Sequence, residues 1–145
     1  MDWKIELLVV PVTDIERAKA FYADRLGFNV DLDVARDDFR IVQLTPAGSG
    51  CSIAMGTGLV DMAPGALRGM QICVGDIEAA HTQLLERGVE TTPVRHKTAD
   101  GWADGKGEDW NSFVFFDDPD GNSWAIQESP TLRVAMPEPG AEAVA

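Results

Sequence analysis

Few side chains in this sequence could carry out chemistry, and their spacing matches no common catalytic motif. The two histidines, His81 and His96, fall on a predicted helix and at the start of a polar loop, where we expect surface residues. Cys51 and Cys73 each lie inside an apolar run, which predicts buried, reduced core residues rather than a disulfide framework. The sequence contains no C-x-x-C, H-E-x-x-H or G-x-S-x-G motif and no glycine-rich phosphate loop. Cysteine zinc sites, nucleophile elbows and P-loop nucleotide sites are therefore excluded as motifs.

Length and charge narrow the function further. With 145 residues, the chain is expected to form one domain that needs no disulfide or metal to fold. Its 24 acidic and 12 basic residues give a net charge of −12, which disfavours nucleic-acid binding. That charge would attract a cationic ligand, although solubility explains it equally well. No apolar run is long enough for a membrane helix and the start lacks signal-peptide features, so we expect a cytoplasmic protein.

The elements that would position a site come from an internal repeat. Residues 12–28 and 74–90 share the pattern V-x-D-I-E followed by a helical segment, at an offset of 62 positions. Asp14 and Asp76 are suited to cap the two helices, because an aspartate side chain accepts hydrogen bonds from free backbone N–H groups. The apolar stripes of the two helices are Ile15, Ala18, Tyr22 and Leu26 in the first, and Ile77, Ala80, Leu84 and Leu85 in the second.

Each helix is followed by three segments with strand character, so that each half is predicted to run strand, helix, strand, strand, strand. The predicted strands are residues 28–34, 39–45 and 51–56 in the first half, and 89–94, 112–117 and 123–128 in the second. The D-P-D-G-N sequence at 118–122 predicts a tight turn between the last two strands. Residues 96–110 are polar and rich in glycine, which predicts a long loop, and the tail from 130 to 145 is expected to be disordered.

The repeat and the late turn together resemble the vicinal oxygen chelate superfamily, which contains glyoxalase I, extradiol dioxygenases and bleomycin-resistance proteins. The resemblance rests on R-A-K-A-F-Y-A-D-R-L-G-F and F-F-D-D-P-D-G-N-S-W-A-I-Q-E at matching positions. It implies an α+β fold of two βαβββ modules, each curling a sheet into half of a cleft-lined barrel, and a homodimer. We therefore expect one domain over residues 1–129. Its parts are a first module at about 3–56, a linker at 57–68 and a second module at about 69–129.

The resemblance implies that the metal-dependent members of the superfamily hold a divalent cation with residues at four positions. Counted from the shared landmarks, these positions fall on Leu7, Gln43, Gly69 and Ala125. Three of these residues have no side-chain donor atom, and the fourth offers only a neutral amide, so no metal cofactor is expected. An alternative keeps a rearranged metal site that uses Glu6, through a one-residue register shift, or Glu128.

Strand alternation predicts which residues line the cleft in place of the missing ligands. The predicted ligand-binding residues are Leu7, Val9, Gln43, Thr45, Gln71, Ser123, Ala125 and Gln127, with Trp102 and Trp110 from the polar loop. The three glutamines would form a cluster of amides suited to binding rather than proton transfer, or they face solvent at sheet edges. The two tryptophans could stack on a planar ligand, or they pack the loop onto the body. Trp124 and Tyr22 are expected in the core.

Three functions fit these expectations. The first, which we favour, is a metal-independent protein that binds a small organic molecule, similar to the bleomycin-resistance branch. The second is an enzyme, a glyoxalase-like lyase or a dioxygenase, with the rearranged metal site. The third is a structural or partner-binding dimer module with an occluded cleft. The sequence does not identify the ligand, and catalytic residues are not assigned.

Overall fold

The repeated pattern folds into two βαβ-type modules in the computed structural model, which describes residues 1–133. The first module consists of β1 (Leu7–Val9), α1 (Ile15–Ala20) with a π-helical extension (Phe21–Arg25), β2 (Asn29–Arg36), β3 (Phe39–Thr45) and β4 (Ser52–Gly56). The second consists of β5 (Met70–Val74), α2 (Ile77–Glu86), β6 (Arg95–Thr98), β7 (Gly101–Asp104), β8 (Phe113–Asp117), β9 (Ser123–Glu128) and a final 3-10 turn (Pro130–Leu132). The α+β prediction is confirmed.

Two predictions about the second module need correction. The predicted strand at 89–94 is not formed, and the predicted polar loop contains the hairpin β6–β7 instead. The hairpin forms because His96 and Lys97 pair with Ala103 and Trp102, and the backbone groups of Thr98 and Gly101 close its end. The second module thus has five strands rather than four. The tail was expected to be disordered from residue 130, but Pro130–Leu132 form a turn, and residues 134–145 lie outside the described part.

Each module builds its own sheet. The first has the strand order β1-β4-β3-β2, and the second has the order β5-β9-β8-β6-β7. In both, the strand before the helix pairs in parallel with the last strand, as in Leu8 opposite Ile53 and Ile72 opposite Ile126. The helices start where predicted. The Asp14 carboxylate accepts from Arg17 N at 3.0 Å, and the Asp76 carboxylate accepts from Ala79 N at 3.0 Å.

One face of each sheet is covered, and the two covered faces share a single core. Alternate residues of β9 are buried, and these include Trp124 and Ile126, while β3 buries Val42 and Leu44. Tyr22 of the π-helical extension is fully buried among them. The predicted core positions of Trp124 and Tyr22 are confirmed. By contrast, Leu85 on the predicted stripe is 52% exposed.

The D-P-D-G-N turn fastens the two modules together, in addition to reversing the chain. The buried Asp118 carboxylate accepts from the Tyr22 hydroxyl at 2.7 Å and from the Asn122 side-chain amide at 2.8 Å. Trp124 Nε1 donates to the Tyr22 hydroxyl at 3.0 Å, and Asn122 Nδ2 donates to the Pro11 carbonyl at 2.9 Å. Burial and the Asp118 charge raise the pKa of the Tyr22 hydroxyl well above its usual range, so it stays a donor at every ordinary pH.

Outside the core, an ion cluster ties α1 to the first sheet. Asp33 on β2 contacts Lys19 Nζ at 2.7 Å and an Arg40 guanidinium nitrogen at 2.8 Å. The hydrogen bonds from Arg40, and next those from Lys19, lower the pKa of Asp33 to about 2. These side chains are partly exposed, so water and salt screen them and their contribution to stability is small.

No helix among residues 1–133 has both the length and the apolar character needed to cross a membrane.

The network around Tyr22 leads to a stability prediction. Tyr22→Phe removes the hydroxyl between Asp118 and Trp124 and leaves the buried indole N–H without an acceptor. We expect this change to lower the free energy of unfolding by about 1–3 kcal/mol. Urea denaturation followed by circular dichroism measures it. Asp117→Asn, at the exposed neighbouring carboxylate, serves as the control and should change stability by less than about 0.5 kcal/mol. Equal stability of Tyr22→Phe and the parent would contradict the assigned role of the hydroxyl.

Candidate functional site

The faces of the two sheets that the helices do not cover are called here the open faces, and they carry the predicted site residues. A cavity of about 710 Å³ lies between the covered faces, bordered by Leu8 and Ile53 of the first sheet and by Ile72 and Val74 of the second. Because both covered faces border this one space and share one core, the open faces point away from each other. A single chain therefore does not bring all predicted site residues into one cleft.

The first open face is mainly apolar. Gln43 lies opposite Ala54 and Leu32, and residues directly opposite in a ladder share a face. The face is formed by Leu7, Val9, Asp31, Leu32, Val34, Ile41, Gln43, Thr45, Ser52 and Ala54. Its polar corner is the Thr45 hydroxyl, which bonds the Asp31 carboxylate and lies 2.6 Å from Ser52 Oγ. Four predicted site residues, Leu7, Val9, Gln43 and Thr45, are thus brought together here.

The second open face holds the remaining predicted residues in ordered rows. One row crosses the sheet from Asp104 through Arg95, Phe113 and Gln127 to Cys73. The next row contains Phe115, Ala125 and Gln71, and the third begins with Asp117 and Ser123. Along β9 the predicted open-face residues Ser123, Ala125 and Gln127 are half-buried, while the intervening residues are buried, so the predicted alternation is confirmed for this strand.

Three aromatic rings form a shelf on the second open face. Trp102 on β7 stands edge-on to Phe113 and Phe115, with ring centroids 5.5 and 5.2 Å away. The two phenylalanine rings are parallel to each other at 5.9 Å. Trp102 is still 46% exposed, so the shelf offers a large apolar surface that water covers only in part. This aromatic shelf is the strongest feature for holding a planar molecule.

Glutamines and Trp110 border the shelf. Gln71 donates to Gln127, and Gln127 Nε2 donates to the Trp110 carbonyl at 2.7 Å. Two of the three predicted glutamines therefore meet, whereas Gln43 lies on the other sheet. The amide oxygen of Gln127 and one of its N–H groups are already engaged within the chain, which leaves Gln71 as the freer of the two.

Trp110 has an unusual backbone conformation for a bulky residue. Its φ is +64°, in the left-handed region that favours glycine. The surrounding contacts hold this loop: Asn111 N donates to the Glu108 carbonyl at 3.0 Å, and the Asn111 side chain bonds both backbone groups of Lys97 at 2.8 and 3.0 Å. The Trp110 side chain remains 47% exposed. Strain of this kind is often retained at binding sites.

The four positions that correspond to metal ligands in the resembling enzymes do not provide a ligand set. Leu7 and Gln43 share the first open face, Ala125 lies on the second, and Gly69 directly precedes β5, the strand that pairs with the strand of Ala125. None of them offers an imidazole or a carboxylate, the groups that bind divalent cations well. Within residues 1–133 no group of three histidine, cysteine, aspartate or glutamate side chains is placed to hold a metal ion.

Glu128 was the alternative metal ligand, and the structure corrects this interpretation. Its side chain points to the covered face, where it is buried, and its carboxylate accepts from Ile77 N at 3.0 Å at the start of α2. Lys106 and Arg133 also contact it, at 3.1 and 2.9 Å. Burial alone would raise the pKa of Glu128, but these three donors outweigh it and lower the pKa. Glu6, the other alternative ligand, is exposed next to β1.

The remaining chemically capable residues lie apart from the shelf or at its margin. His81 is half-buried on α2, and His96 Nδ1 is 2.8 Å from the Gly105 carbonyl. The expectation of buried cysteines is wrong: Cys51 is half-buried and Cys73 is exposed, because Cys73 lies on the open face of an edge strand. Both are free thiols.

Sequence reasoning missed Phe113, Phe115, Arg95 and Lys97 as site residues. The run F-V-F-F is apolar at every position, so its alternation is invisible without the pairing partners. The signal that could have found the phenylalanines was the register with β9, since both neighbour predicted open-face residues there. Arg95 and Lys97 were missed because most of the segment that forms β6 was predicted to be part of a loop.

Comparisons with known proteins agree with this geometry. Residues 4–126 match the Glyoxalase/Bleomycin resistance protein/Dioxygenase superfamily. The solved structure of TnmS3, an antibiotic binding protein from Streptomyces sp. CB03234, is 30% identical with a TM-score of 0.71, over 88% of this chain and 97% of that one. A glyoxalase/bleomycin resistance protein from the same organism is 31% identical with a TM-score of 0.68, over 86% and 99%. The uncharacterized protein YwkD of Bacillus subtilis (strain 168) is 29% identical over 123 residues, 80% of this chain and 89% of its own length.

The role of Glu128 predicts a dependence of stability on pH. Because its pKa is lower in the folded chain than the usual 4.5, its contribution is complete above that value and is lost as the pH falls through the folded-state pKa. We expect Glu128→Gln to lose about 1–2 kcal/mol of unfolding free energy at pH 7 and to lose less further stability than the parent as the pH falls below 4.5. Urea denaturation at several pH values measures both effects. The exposed Glu108→Gln serves as the control, and a parallel pH profile of Glu128→Gln and the parent would refute the assignment.

Proposed function

Because the chain belongs to the glyoxalase/bleomycin resistance protein/dioxygenase superfamily, we propose that it binds a small organic molecule on its open faces without a divalent metal and releases it unchanged. The observation that carries the proposal is the aromatic shelf of Trp102, Phe113 and Phe115, which occupies the face where the metal-dependent members hold their cation. An exposed indole on a floor of parallel rings binds planar organic surfaces by stacking and apolar burial.

The similar structures support an antibiotic as the natural ligand class. The two solved relatives from Streptomyces are 30% and 31% identical to this chain over 88% and 86% of it, and one is described as an antibiotic binding protein. Sequestration needs affinity but no acid, base or metal. The neutral residues Gln71, Ser123 and Ala125 beside the shelf suit that role, since none of them titrates near neutral pH.

An enzyme with a rearranged metal site is the second candidate, and the geometry favours it less. Its most promising ligand, Glu128, is engaged by Ile77, Lys106 and Arg133 on the covered face. Moving that carboxylate to the open face would leave two cations and the first turn of α2 without their partner.

We also propose that two copies associate through their open faces, which completes the predicted cleft. On the first open face Leu32 is 42% exposed, and Val34 and Ile41 lie beside it. A contiguous apolar surface of this kind is seldom left in contact with solvent. The partner with the matching chemistry is the second open face of another copy, where the aromatic shelf lies. In such a homodimer, Leu7, Val9, Gln43 and Thr45 of one chain would join the shelf of the other.

Calorimetric titration tests binding with antibiotics of different charge: bleomycin and doxorubicin as cations, chloramphenicol as a neutral compound and novobiocin as an anion. We expect at least one of these to bind, and Trp102→Ala to weaken that binding by about tenfold or more because the stacking surface is lost. Leu85→Ala removes an exposed apolar side chain of α2, away from both open faces, and should leave binding unchanged.

Two results would contradict the proposed binding function. One is the absence of heat with every compound, and the other is binding that ignores Trp102→Ala. Elemental analysis of protein purified without chelator accompanies the titration. A divalent metal at one ion per chain, together with turnover of a glutathione hemithioacetal or a catechol, would establish the enzyme instead.

Light scattering coupled to gel filtration tests the association. We expect a mass of twice the 15.7 kDa chain, and a single-chain mass for Leu32→Glu, because a carboxylate on the apolar face would be buried unpaired in the dimer. Leu85→Glu changes an exposed leucine of α2, away from the open faces, and should preserve the parent mass. A monomeric parent would contradict the proposed dimer and leave the shelf without its covering face.

A further inference from the structure

Two cations flank the aromatic shelf on the second open face. Lys97 Nζ lies 5.2 Å from the centroid of the Trp102 ring, and the Arg95 guanidinium carbon lies 5.9 Å from the centroid of Phe115. Both distances are in the range of cation–π contacts, which are weak where water has access. The charged groups therefore lie over rings of the shelf itself, within reach of a planar ligand that binds there.

Neither cation is neutralised by the chain, although carboxylates outnumber basic groups by 24 to 12. Arg95 and Lys97 form no ion pair with any carboxylate among residues 1–133. Asp104 lies directly opposite Arg95 in the ladder, yet the guanidinium extends over Phe115 instead. Arg95 Nε is buried and has no hydrogen-bond partner in the described part of the chain. A buried donor without a partner is uncommon, and a ligand could accept a hydrogen bond from this N–H group.

The local charge on this face differs from that of the whole chain. By register and contact, its charged residues are Arg68, Arg95, Lys97, Asp104 and Asp117. Among these residues three cations outnumber two carboxylates, the reverse of the balance in the whole chain. The cationic ligand suggested by the net charge is therefore not the one that the shelf itself would select, because close charges outweigh distant screened ones.

We propose that the second open face recognises planar aromatic molecules that carry an anionic group, a carboxylate or an ionised phenol, and that Arg95 and Lys97 determine this preference. The inference rests on the proposed binding function and adds the chemical class of the ligand. The ligand ring stacks on the exposed indole of Trp102 and meets the phenylalanine rings edge-on, and its anion accepts charge-assisted hydrogen bonds from the guanidinium and the ammonium group.

Three matched probes on one planar tricycle test the preference. Anthracene-2-carboxylate, 2-(hydroxymethyl)anthracene and 2-(aminomethyl)anthracene are anionic, neutral and cationic at pH 7. Titration of the full chain, followed by anthracene fluorescence, gives the three dissociation constants. We expect the anion to bind about tenfold more tightly than the neutral probe, with the cation weakest. Raising the salt concentration should reduce the advantage of the anion and leave the neutral probe nearly unaffected.

Charge variants identify the residues responsible. In the double variant Arg95→Gln and Lys97→Gln the anion and the neutral probe should bind equally, whereas Arg95→Lys and Lys97→Arg should keep the preference. Arg87→Gln is the matched control: it removes one positive charge at the end of α2, away from both open faces, and Arg87 makes no ion pair among the described residues. Its probe constants should equal those of the parent.

The outcomes separate this inference from the function on which it rests. If the neutral probe binds in a Trp102-dependent way but the anionic probe binds no more tightly, the proposed binding function is supported and the anion preference is overturned. If the double glutamine variant, shown to be folded by circular dichroism, retains the advantage, Arg95 and Lys97 are not its source and the inference fails. If no probe binds, or if Trp102→Ala changes none of the constants, both proposals fall together.

Discussion

The hydrogen-bonded contact of Tyr22 with Asp118 and Trp124 is the constraint on which the rest of the structure depends. It lies where the helix of the first module meets the sheet of the second, and every group in it is buried. Buried polar groups must find partners within the chain, so this contact defines one relative position of the modules rather than a range of them. With the covered faces joined in this way, the open faces are directed outward, and each is left to bind something else.

Much of the fold could be predicted because its signals are local. The aspartate caps, the strand at 123–128 and the turn at 118–122 are set by neighbours in sequence, and the structure has them in place. The inward side of Trp124 followed from period-two alternation with Ala125, the position that the resemblance placed on the cleft face. The repeat then supplied the order of elements in both halves, which local patterns by themselves do not give.

The site was harder to predict, for a physical reason. Whether Phe113 and Phe115 face outward depends on pairing with β9, and whether β6 and β7 form at all depends on bonds to each other and to Asn111. The local sequence around Asp118 predicts only a turn residue. It does not reveal that the hydroxyl of Tyr22, 96 positions earlier, donates a hydrogen bond to the Asp118 carboxylate. Contacts over such separations are properties of the folded chain.

The attachment of the β6–β7 hairpin has a consequence for the range of molecules that the protein can accept. β6 joins β8 through a single ladder pair, Arg95 with Phe113, while the opposite edge of β7 has no neighbouring strand. A two-stranded ribbon that shares one ladder pair with the sheet, and is otherwise held by the Asn111 side chain at Lys97, bends more readily than the middle of a sheet. Trp102 lies on this ribbon and contacts Phe113 and Phe115 of β8 edge-on. A bend of the ribbon changes the angle between the indole and these rings, which lets the binding surface adapt to molecules of different shape.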